Sequence, residues 1–351
     1  MTATMQPLTV VIAACNEEAA IPMLHPRLRA VLDSIEGLQG RVLYVDDGSS
    51  DRTWQVLQSI VASDPQASAL RLSRNFGKEA AITAGLDQVD EGAVVLLDAD
   101  GQDPPELIPQ FVQLWRQGHD NIFGTRIRRE GESWLKRASA AAFYRVIGRL
   151  SHTPIPADTG DFRLLSPRAL QALRQLREHN RFMKGLFGWV GFNQISVPYS
   201  RQPRLSGRSN FSFWRLWNFA LEGITSFSTA PLRIATYLGL LTAALALAFA
   251  LKVVLKAWLV GDPVAGWPTM MAVILFLGGV QLIALGLIGE YLGRIYEESK
   301  RRPLYFIAAR QGPVVPGPGV AESEHLSGDR NKVANATGQH KQVPDRVEIS
   351  H

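Results

Sequence analysis

The first 130 residues alternate between short runs rich in aliphatic and β-branched residues and longer stretches whose apolar positions recur with helical spacing. The runs are residues 8–15, 41–47, 69–73, 93–98 and 121–124, and helix-sized stretches such as 22–35, 53–63 and 78–87 separate them. Apolar runs spaced by single helices predict an α/β fold with a mostly parallel sheet covered on both faces. In such a sheet ligands collect beyond the carboxyl ends of the strands. Polar clusters fall at those ends: Asn16-Glu17-Glu18, Asp46-Asp47-Gly48-Ser49, Arg74-Asn75-Phe76-Gly77 and Asp98-Ala99-Asp100. Turn residues at one strand end are ordinary; several acidic turns on one sheet edge predict a site.

The pattern then changes. Residues 131–210 are mixed. Residues 211–228 carry Phe211, Phe213, Trp214, Trp217, Phe219 and Phe227 with only Arg215 and Glu222 charged, a composition that suits either a buried helix or one lying in a membrane interface. Residues 234–251 and 270–289 hold no charge, and about 20 such residues cross about 30 Å of hydrocarbon. Their apolar residues go right round rather than forming one stripe, which predicts two spans, about 234–256 and 269–291, rather than core helices. The link between them holds Gly261-Asp262-Pro263 and Gly266-Trp267-Pro268, so the spans form a hairpin. Arg233 before the first span and Arg294, Lys300, Arg301 and Arg302 after the second outnumber the charges of the link, although Lys252 and Lys256 weaken the contrast. The positive-inside tendency puts both ends in the cytoplasm. The expected organisation is a cytosolic domain at 1–210 with its core at 8–170, an interfacial region at 211–230, the hairpin within 231–296, a juxtamembrane segment at 297–310 and a disordered tail at 311–351.

Composition narrows the function classes. The single cysteine, Cys15, excludes an intrachain disulfide and a cysteine-rich metal site. The polar first nine residues do not read as a signal peptide. A net charge of +5 without a helix-turn-helix, RNA-recognition or zinc-finger pattern argues for a membrane surface or a phosphorylated substrate and against nucleic acid.

The strongest chemical signal is Val94-Val95-Leu96-Leu97-Asp98-Ala99-Asp100, a buried strand ending in two carboxylates. At i, i+2 on extended chain both point the same way and repel unless a cation lies between them. Mg²⁺ or Mn²⁺ suits, because these ions take oxygen ligands and share them with substrate phosphates. Gln102 continues the spacing with a neutral oxygen.

Together these strings resemble the family 2 glycosyltransferases of GT-A (Rossmann-like) fold. The motifs are Val11-Ile12-Ala13-Ala14-Cys15-Asn16-Glu17-Glu18, Val45-Asp46-Asp47-Gly48-Ser49-Ser50-Asp51, Leu72-Ser73-Arg74-Asn75-Phe76-Gly77-Lys78 and Asp98 through Pro105. Asp161-Phe162-Arg163-Leu164-Leu165, Asn180 through Gly185, Arg204 through Ser209 and Gly289 through Tyr296 extend the match over roughly 8–307 and point to the polyprenyl-phosphate branch, with two-span bactoprenol glucosyltransferases most similar. Ala13, Cys15, Gly101 and Asn210 depart from common residues of that pattern without touching the carboxylate pair.

The resemblance implies an inverting transfer of a hexose from a nucleotide-sugar, UDP-glucose favoured, to undecaprenyl phosphate at the cytoplasmic membrane face, which supplies a lipid-linked sugar for the cell envelope. It gives Asn16, Glu18 and Asp47 to the nucleoside, Gly77 and Lys78 to the donor, and Asp98, Asp100 and Gln102 to the metal. Arg126 and Arg204, with Arg137, would take the acceptor phosphate, and Asp161 either positions the acceptor or is structural. Relatives of this branch suggest a homo-oligomer. A processive polysaccharide synthase on the same fold is disfavoured, because Gln171-Ala172-Leu173-Arg174-Gln175 lacks the tryptophan of the Gln-x-x-Arg-Trp motif and the chain offers only two spans. A non-catalytic nucleotide-sensing scaffold is disfavoured by the intact Asp98 and Asp100.

Overall fold

The computed structural model describes residues 5–127, 159–179, 181–200 and 266–313, with isolated positions between 237 and 259. Eight strands form one sheet: β1 (Gln6–Ala14), β2 (Leu38–Asp46), β3 (Ala67–Leu72), β4 (Ala93–Asp98), β5 (Asn121–Arg126), β6 (Thr159–Leu165), β7 (Gln194–Tyr199) and β8 (Ile307–Gln311). Their spatial order is β7-β5-β6-β4-β1-β2-β3-β8. The helices are α1 (Ile21–Asp33), α2 (Thr53–Ser63), α3 (Lys78–Asp87), α4 (Ile108–Arg116), α5 (Pro167–Gln175), α6 (Met183–Trp189) and α7 (Trp267–Ser299), with a 3₁₀ turn at Pro105–Leu107 leading into α4.

The parallel centre β4-β1-β2-β3 follows from sequence. Strand β4 reads Ala-Val-Val-Leu-Leu-Asp because helices cover both of its faces, so it is apolar without alternation. In β1, Leu8, Val10, Ile12 and Ala14 join one core with Leu24 and Leu28 of α1 and Leu57 of α2. Val11 joins the opposite core with Ile82 of α3 and Leu170 of α5. This two-sided burial is the period-2 geometry of a strand. Burying such side chains contributes roughly 1.5–3 kcal/mol each.

The sheet is more mixed than the expectation. Strand β6 inserts antiparallel between β4 and β5, and β8 adds antiparallel to the edge of β3, while β5 and β7 pair in parallel. The eighth strand lies at the boundary between the expected juxtamembrane segment and the tail, so the sheet draws its last member from beyond the apolar region.

Helix α7 has 33 residues and runs past the expected end at 291. Among the described residues, 276–299 is the one helix long and apolar enough to cross a membrane, and its side chains are not buried in the protein. The described positions between 237 and 259 are helical. Most of the expected first span and all of 211–230 lie outside the described residues.

Chain order turns back at β1. From β3 the chain passes through α3 to β4, on the far side of β1 from β2. This is the topological switch point, where the carboxyl ends of neighbouring strands splay apart and leave a crevice.

Candidate active site

Three strands deliver the polar clusters to that crevice. Beyond β1, Asn16 adopts φ 58°, a left-handed conformation that asparagine tolerates better than most residues. Its side-chain carbonyl accepts from the Ser50 amide at 2.9 Å and the Ser50 hydroxyl at 3.2 Å, and its own amide donates to Ser49 Oγ at 2.9 Å. Glu18 accepts from the Arg52 amide at 2.9 Å. Asn16 and Glu18 therefore tie the end of β1 to the turn that opens α2.

Beyond β2, the buried Asp47 carboxylate accepts from the Phe76 amide at 2.7 Å and the Gly77 amide at 2.9 Å. Burial pushes its pKa up and these two amides oppose the rise. The carboxylate that the resemblance gives to the nucleoside thus also fixes the loop before α3. Gly48 makes this approach possible. It sits at φ 63°, and a Cβ there would lie 2.4 Å from the Arg74 carbonyl carbon.

Asp98 is the last residue of β4 and Asp100 lies in the turn after it, so the two do not share one extended strand as the spacing predicts; both are partly exposed at the mouth of the crevice. Asp100 Oδ1 accepts from the Gln102 amide at 3.1 Å. Lys78, the first residue of α3, places its ammonium 2.6 Å from Asp98 Oδ1 and 2.5 Å from Asp161 Oδ2. Its side chain is 46% exposed along its length. Burial of the charged end alone would lower the lysine pKa, but Asp98 and Asp161 carry it well above the ordinary value. Asp161 responds in the opposite sense: burial works against ionisation, and Lys78, Lys184 and Arg163 bring its pKa down.

Three further groups complete the floor. Glu79 accepts from the Met183 amide, while its Oε2 is buried without a hydrogen-bond partner. Burial first, and Asp161 second, raise its pKa. Lys184 of α6 lies in the same field, its pKa lowered by burial and by the cations Arg126 and Lys78, with Asp161 opposing. Arg163 is buried, with its guanidinium 3.7 Å from the ring centre of Phe187, and it donates to the Gly160 carbonyl at 3.0 Å. Burial pushes its pKa down to about 10.

Arg126 ends β5 on the other wall. It donates to the Tyr199 hydroxyl, which in turn donates to the fully buried Asp103. Burial and then Asp103 push the tyrosine pKa up. A Cβ at Gly160 would come within 2.9 Å of Arg126 Nη2, so the glycine leaves room for the guanidinium.

The structure therefore brings Lys78, Asp98, Asp161 and the loop held by Asp47 to one place, with Arg126 in their electrostatic field. Asn16 and Glu18 stand one strand away as loop anchors. Arg204 and Arg137 lie outside the described residues. Glu79, Asp103, Arg163 and Tyr199 were not singled out from sequence. A signal for Arg163 existed: Asp161 and Arg163 stand at i, i+2 in an otherwise apolar strand and so share one side of it. Among the described residues no group of three or more His, Cys, Asp or Glu could hold a metal ion. A cation at Asp98 and Asp100 would complete its shell with oxygens from Gln102 and from a bound ligand, as Mg²⁺ commonly does with phosphates.

Comparison with known proteins adds the context. Residues 9–174 match the glycosyl transferase family 2 model, and residues 230–295 match a model described as the GtrB C-terminal hairpin. An uncharacterized glycosyltransferase of Synechocystis is 48% identical over 86% of this chain and 94% of its own length. The bactoprenol glucosyl transferase of Shigella phage SfX is 42% identical over 87% of this chain and 99% of its own. Among solved structures, glucosyl-3-phosphoglycerate synthase of Mycobacterium tuberculosis, in complex with Mn²⁺, UDP and glucosyl-3-phosphoglycerate, aligns with TM-score 0.42 and 18% identity. That alignment covers 62% of this chain and 77% of that one.

Proposed function

We propose, from the premise that the chain belongs to glycosyl transferase family 2, that this enzyme moves a hexose from a nucleotide-sugar to undecaprenyl phosphate in a metal-dependent, inverting step. UDP-glucose is the favoured donor. The observation that carries the reading is the pair Asp98 and Asp100 at the switch point, with a cation already standing against Asp98. The donor set fits a divalent ion. Asp98 at the end of β4, with Asp100 and the Gln102 side-chain carbonyl in the turn after it, would offer hard oxygen ligands, and the Lys78 ammonium against Asp98 supports a place for positive charge there.

A divalent ion bound there would neutralise charge building on the departing nucleoside diphosphate. Lys78, leaving Asp98 but still held by Asp161, would add a second positive charge to the same diphosphate. Asp47 keeps the 74–78 loop in place while the donor binds, and Asn16 and Glu18 keep the adjoining turn in place. Arg126, oriented by Tyr199, would take the acceptor phosphate, because a guanidinium fork matches phosphate oxygens. A phosphate oxygen of the lipid forms a bond to the anomeric carbon from the face opposite the diphosphate, and the bond from that carbon to the diphosphate oxygen breaks. The electron pair leaves with the nucleoside diphosphate. The phosphate monoester is already anionic near neutral pH, so its oxygen needs no strong base to activate it.

Helix α7 supports a membrane-held enzyme, the family match over 230–295 supports a hairpin anchor, and Arg233, Arg294, Lys300, Arg301 and Arg302 flanking the apolar region support a catalytic domain on the cytoplasmic side. The test incubates the full-length enzyme in detergent with undecaprenyl phosphate, Mg²⁺ or Mn²⁺ and a panel of nucleotide-sugars, and weighs the lipid product. A single added hexose from UDP-glucose is expected. A polymer, or binding without release of nucleoside diphosphate, overturns the reading.

A further inference from the structure

The short segment between the apolar helix and β8 touches the last residue of α3 and the loop before its first. Helix α7 finishes at Ser299, and its Glu298 accepts from the His179 amide at 2.6 Å. After a short link, Tyr305 donates its hydroxyl to Asp87 Oδ2 at 2.9 Å, at the last residue of α3. Arg177 reinforces Asp87 from α5's side at 2.7 Å. The next residue, Phe306, accepts at its carbonyl from the Ser73 amide at 2.9 Å. Its ring lies 6.4 Å from that of Phe76, tilted by 52°, within the range where aromatic pairs attract. Strand β8 then pairs antiparallel with β3 from Ile307 onward, with a register irregularity between Arg71 and Leu72.

The contact at Phe76 reaches the site in two short steps. The Phe76 amide is one of the two that Asp47 holds, and the guanidinium of Arg74 lies 4.0 Å from the Phe76 ring centre. Two residues on, Lys78 opens α3 and places its ammonium between Asp98 and Asp161. Beyond the two amides held by Asp47 and the Asn75 contacts to Gly77 and Cys15, the 73–77 loop is largely open to solvent. Ser73, Arg74 and Asn75 are exposed, and Gly77 sits at φ 96° with nothing within 4 Å of where its Cβ would be. Phe306 is itself 56% exposed, so the ring pair is a surface clasp rather than part of the core.

We propose that Tyr305 and Phe306 are positioning residues. They form a strap from the membrane helix that fixes α3 and the 73–77 loop, and thereby sets where Lys78 meets the donor diphosphate. The role in donor binding rests on the function proposed above, but the ordering of the loop does not. Tyr305 holds the C-terminal end of α3 and Phe306 the approach to its N-terminal end. The helix that bears the donor-facing lysine is therefore referenced to the membrane anchor as well as to its own sheet.

The experiment uses the full-length enzyme in detergent with Phe306→Ala, Phe306→Tyr and Tyr305→Phe. Amide hydrogen exchange over 73–79 is the first readout, and donor KM and kcat are the second. Phe306→Ala should speed exchange across 73–79 while leaving β1, β2 and β4 protected. It should raise donor KM roughly three- to ten-fold, the size expected for loss of an aromatic pair, with little change in kcat. Phe306→Tyr should restore both. Tyr305→Phe should loosen the end of α3 near Asp87 and leave 73–76 as in wild type. Unchanged exchange over 73–79 in Phe306→Ala overturns the strap, as does a fall in kcat with donor KM unmoved. If Phe306→Ala does not fold, Phe306→Leu keeps the bulk and removes the ring pair, and the same outcomes apply to it. If the wild-type enzyme transfers no sugar, the function reading fails while the exchange result still decides whether the strap orders the loop.

Discussion

The Lys78 ammonium lies 2.6 Å from Asp98 Oδ1 and closes the gap between Asp98 and Asp161. Three residues that a sequence reader would assign to separate tasks thus form one ion-paired unit, a single ammonium bridging two carboxylates. Asp98 offers its carboxylate to a cation, Lys78 supplies a cation, and Asp161 decides where Lys78 rests.

If Asp98 holds the proposed divalent ion, Lys78 competes with that ion for its carboxylate. Removing the ammonium leaves the carboxylate uncompensated, and an uncompensated carboxylate attracts a divalent ion more strongly. Lys78→Gln is expected to tighten Mn²⁺ binding in the absence of nucleotide by roughly three-fold or more. It is also expected to slow transfer at least about ten-fold, because the diphosphate loses one positive partner. Isothermal titration with Mn²⁺ alone checks the first expectation, and product formation the second. Weaker Mn²⁺ binding in the variant would remove the competition.

Much of this unit was legible in sequence, and the illegible part has a physical cause. The runs at 93–98 and 121–124 and the helices at 53–63 and 78–87 were readable because central parallel strands are apolar throughout and helices keep their period. Asp98 and Asp100 were readable for the same reason, as charges that end an apolar run. Strand β6 was not, since Asp161 and Arg163 interrupt its apolar pattern, yet both are buried because they neutralise Lys78 and stack on Phe187. Strand β8 was hidden by distance. Its partner β3 lies more than 230 residues earlier, and no local pattern announces that pairing. Tyr199 falls in the mixed stretch 131–210, and its role shows only with Asp103 and Arg126 on either side of its hydroxyl.

Asp100→Ala tests the carboxylate pair directly. The variant keeps Asp98 and the ion pair with Lys78, so the fold and membrane insertion should survive. With one of two charged ligands gone, the proposed ion is held too weakly to stabilise the leaving diphosphate. Transfer is expected to fall by roughly a thousand-fold, several kcal/mol of transition-state stabilisation. Mass analysis of the lipid product gives the rate, and recovery of the enzyme in the membrane fraction gives the control. Full turnover with Mg²⁺ or Mn²⁺ present would defeat the metal assignment.

The Tyr199 hydroxyl fixes Arg126 by accepting its hydrogen bond while donating to Asp103. Tyr199→Phe keeps the ring against Phe162, a neighbour at 5.9 Å, and removes only that relay. Arg126 would keep its charge and lose its fixed orientation. Acceptor KM is expected to rise roughly ten-fold or more with donor KM unchanged, matching the roughly 1.5–3 kcal/mol of one lost hydrogen bond to a charged group. An equal rise in both constants would place Arg126 outside the acceptor site.

Glu79 predicts a pH dependence of stability with a definite sign. Its folded pKa is raised by burial and by Asp161, so across neutral pH the folded state holds a proton that the unfolded chain has released. Where the folded state binds more protons, stability falls as pH rises. The loss begins above the ordinary glutamate range and is complete once pH passes the raised folded value. Glu79→Gln retains a hydrogen-bonding side chain that accepts from the Met183 amide and cannot ionise, so this slope should disappear. The variant is expected to melt higher than wild type at pH 8 and within a degree or two of it at pH 4.5, a gap set by the lost ionisation alone. Thermal unfolding of both proteins in the same detergent between those limits checks it. A gap that shrinks as pH rises would mean that Glu79 is charged in the folded protein and stabilised by Lys78 and Lys184, the reverse of what its buried, unpartnered Oε2 implies.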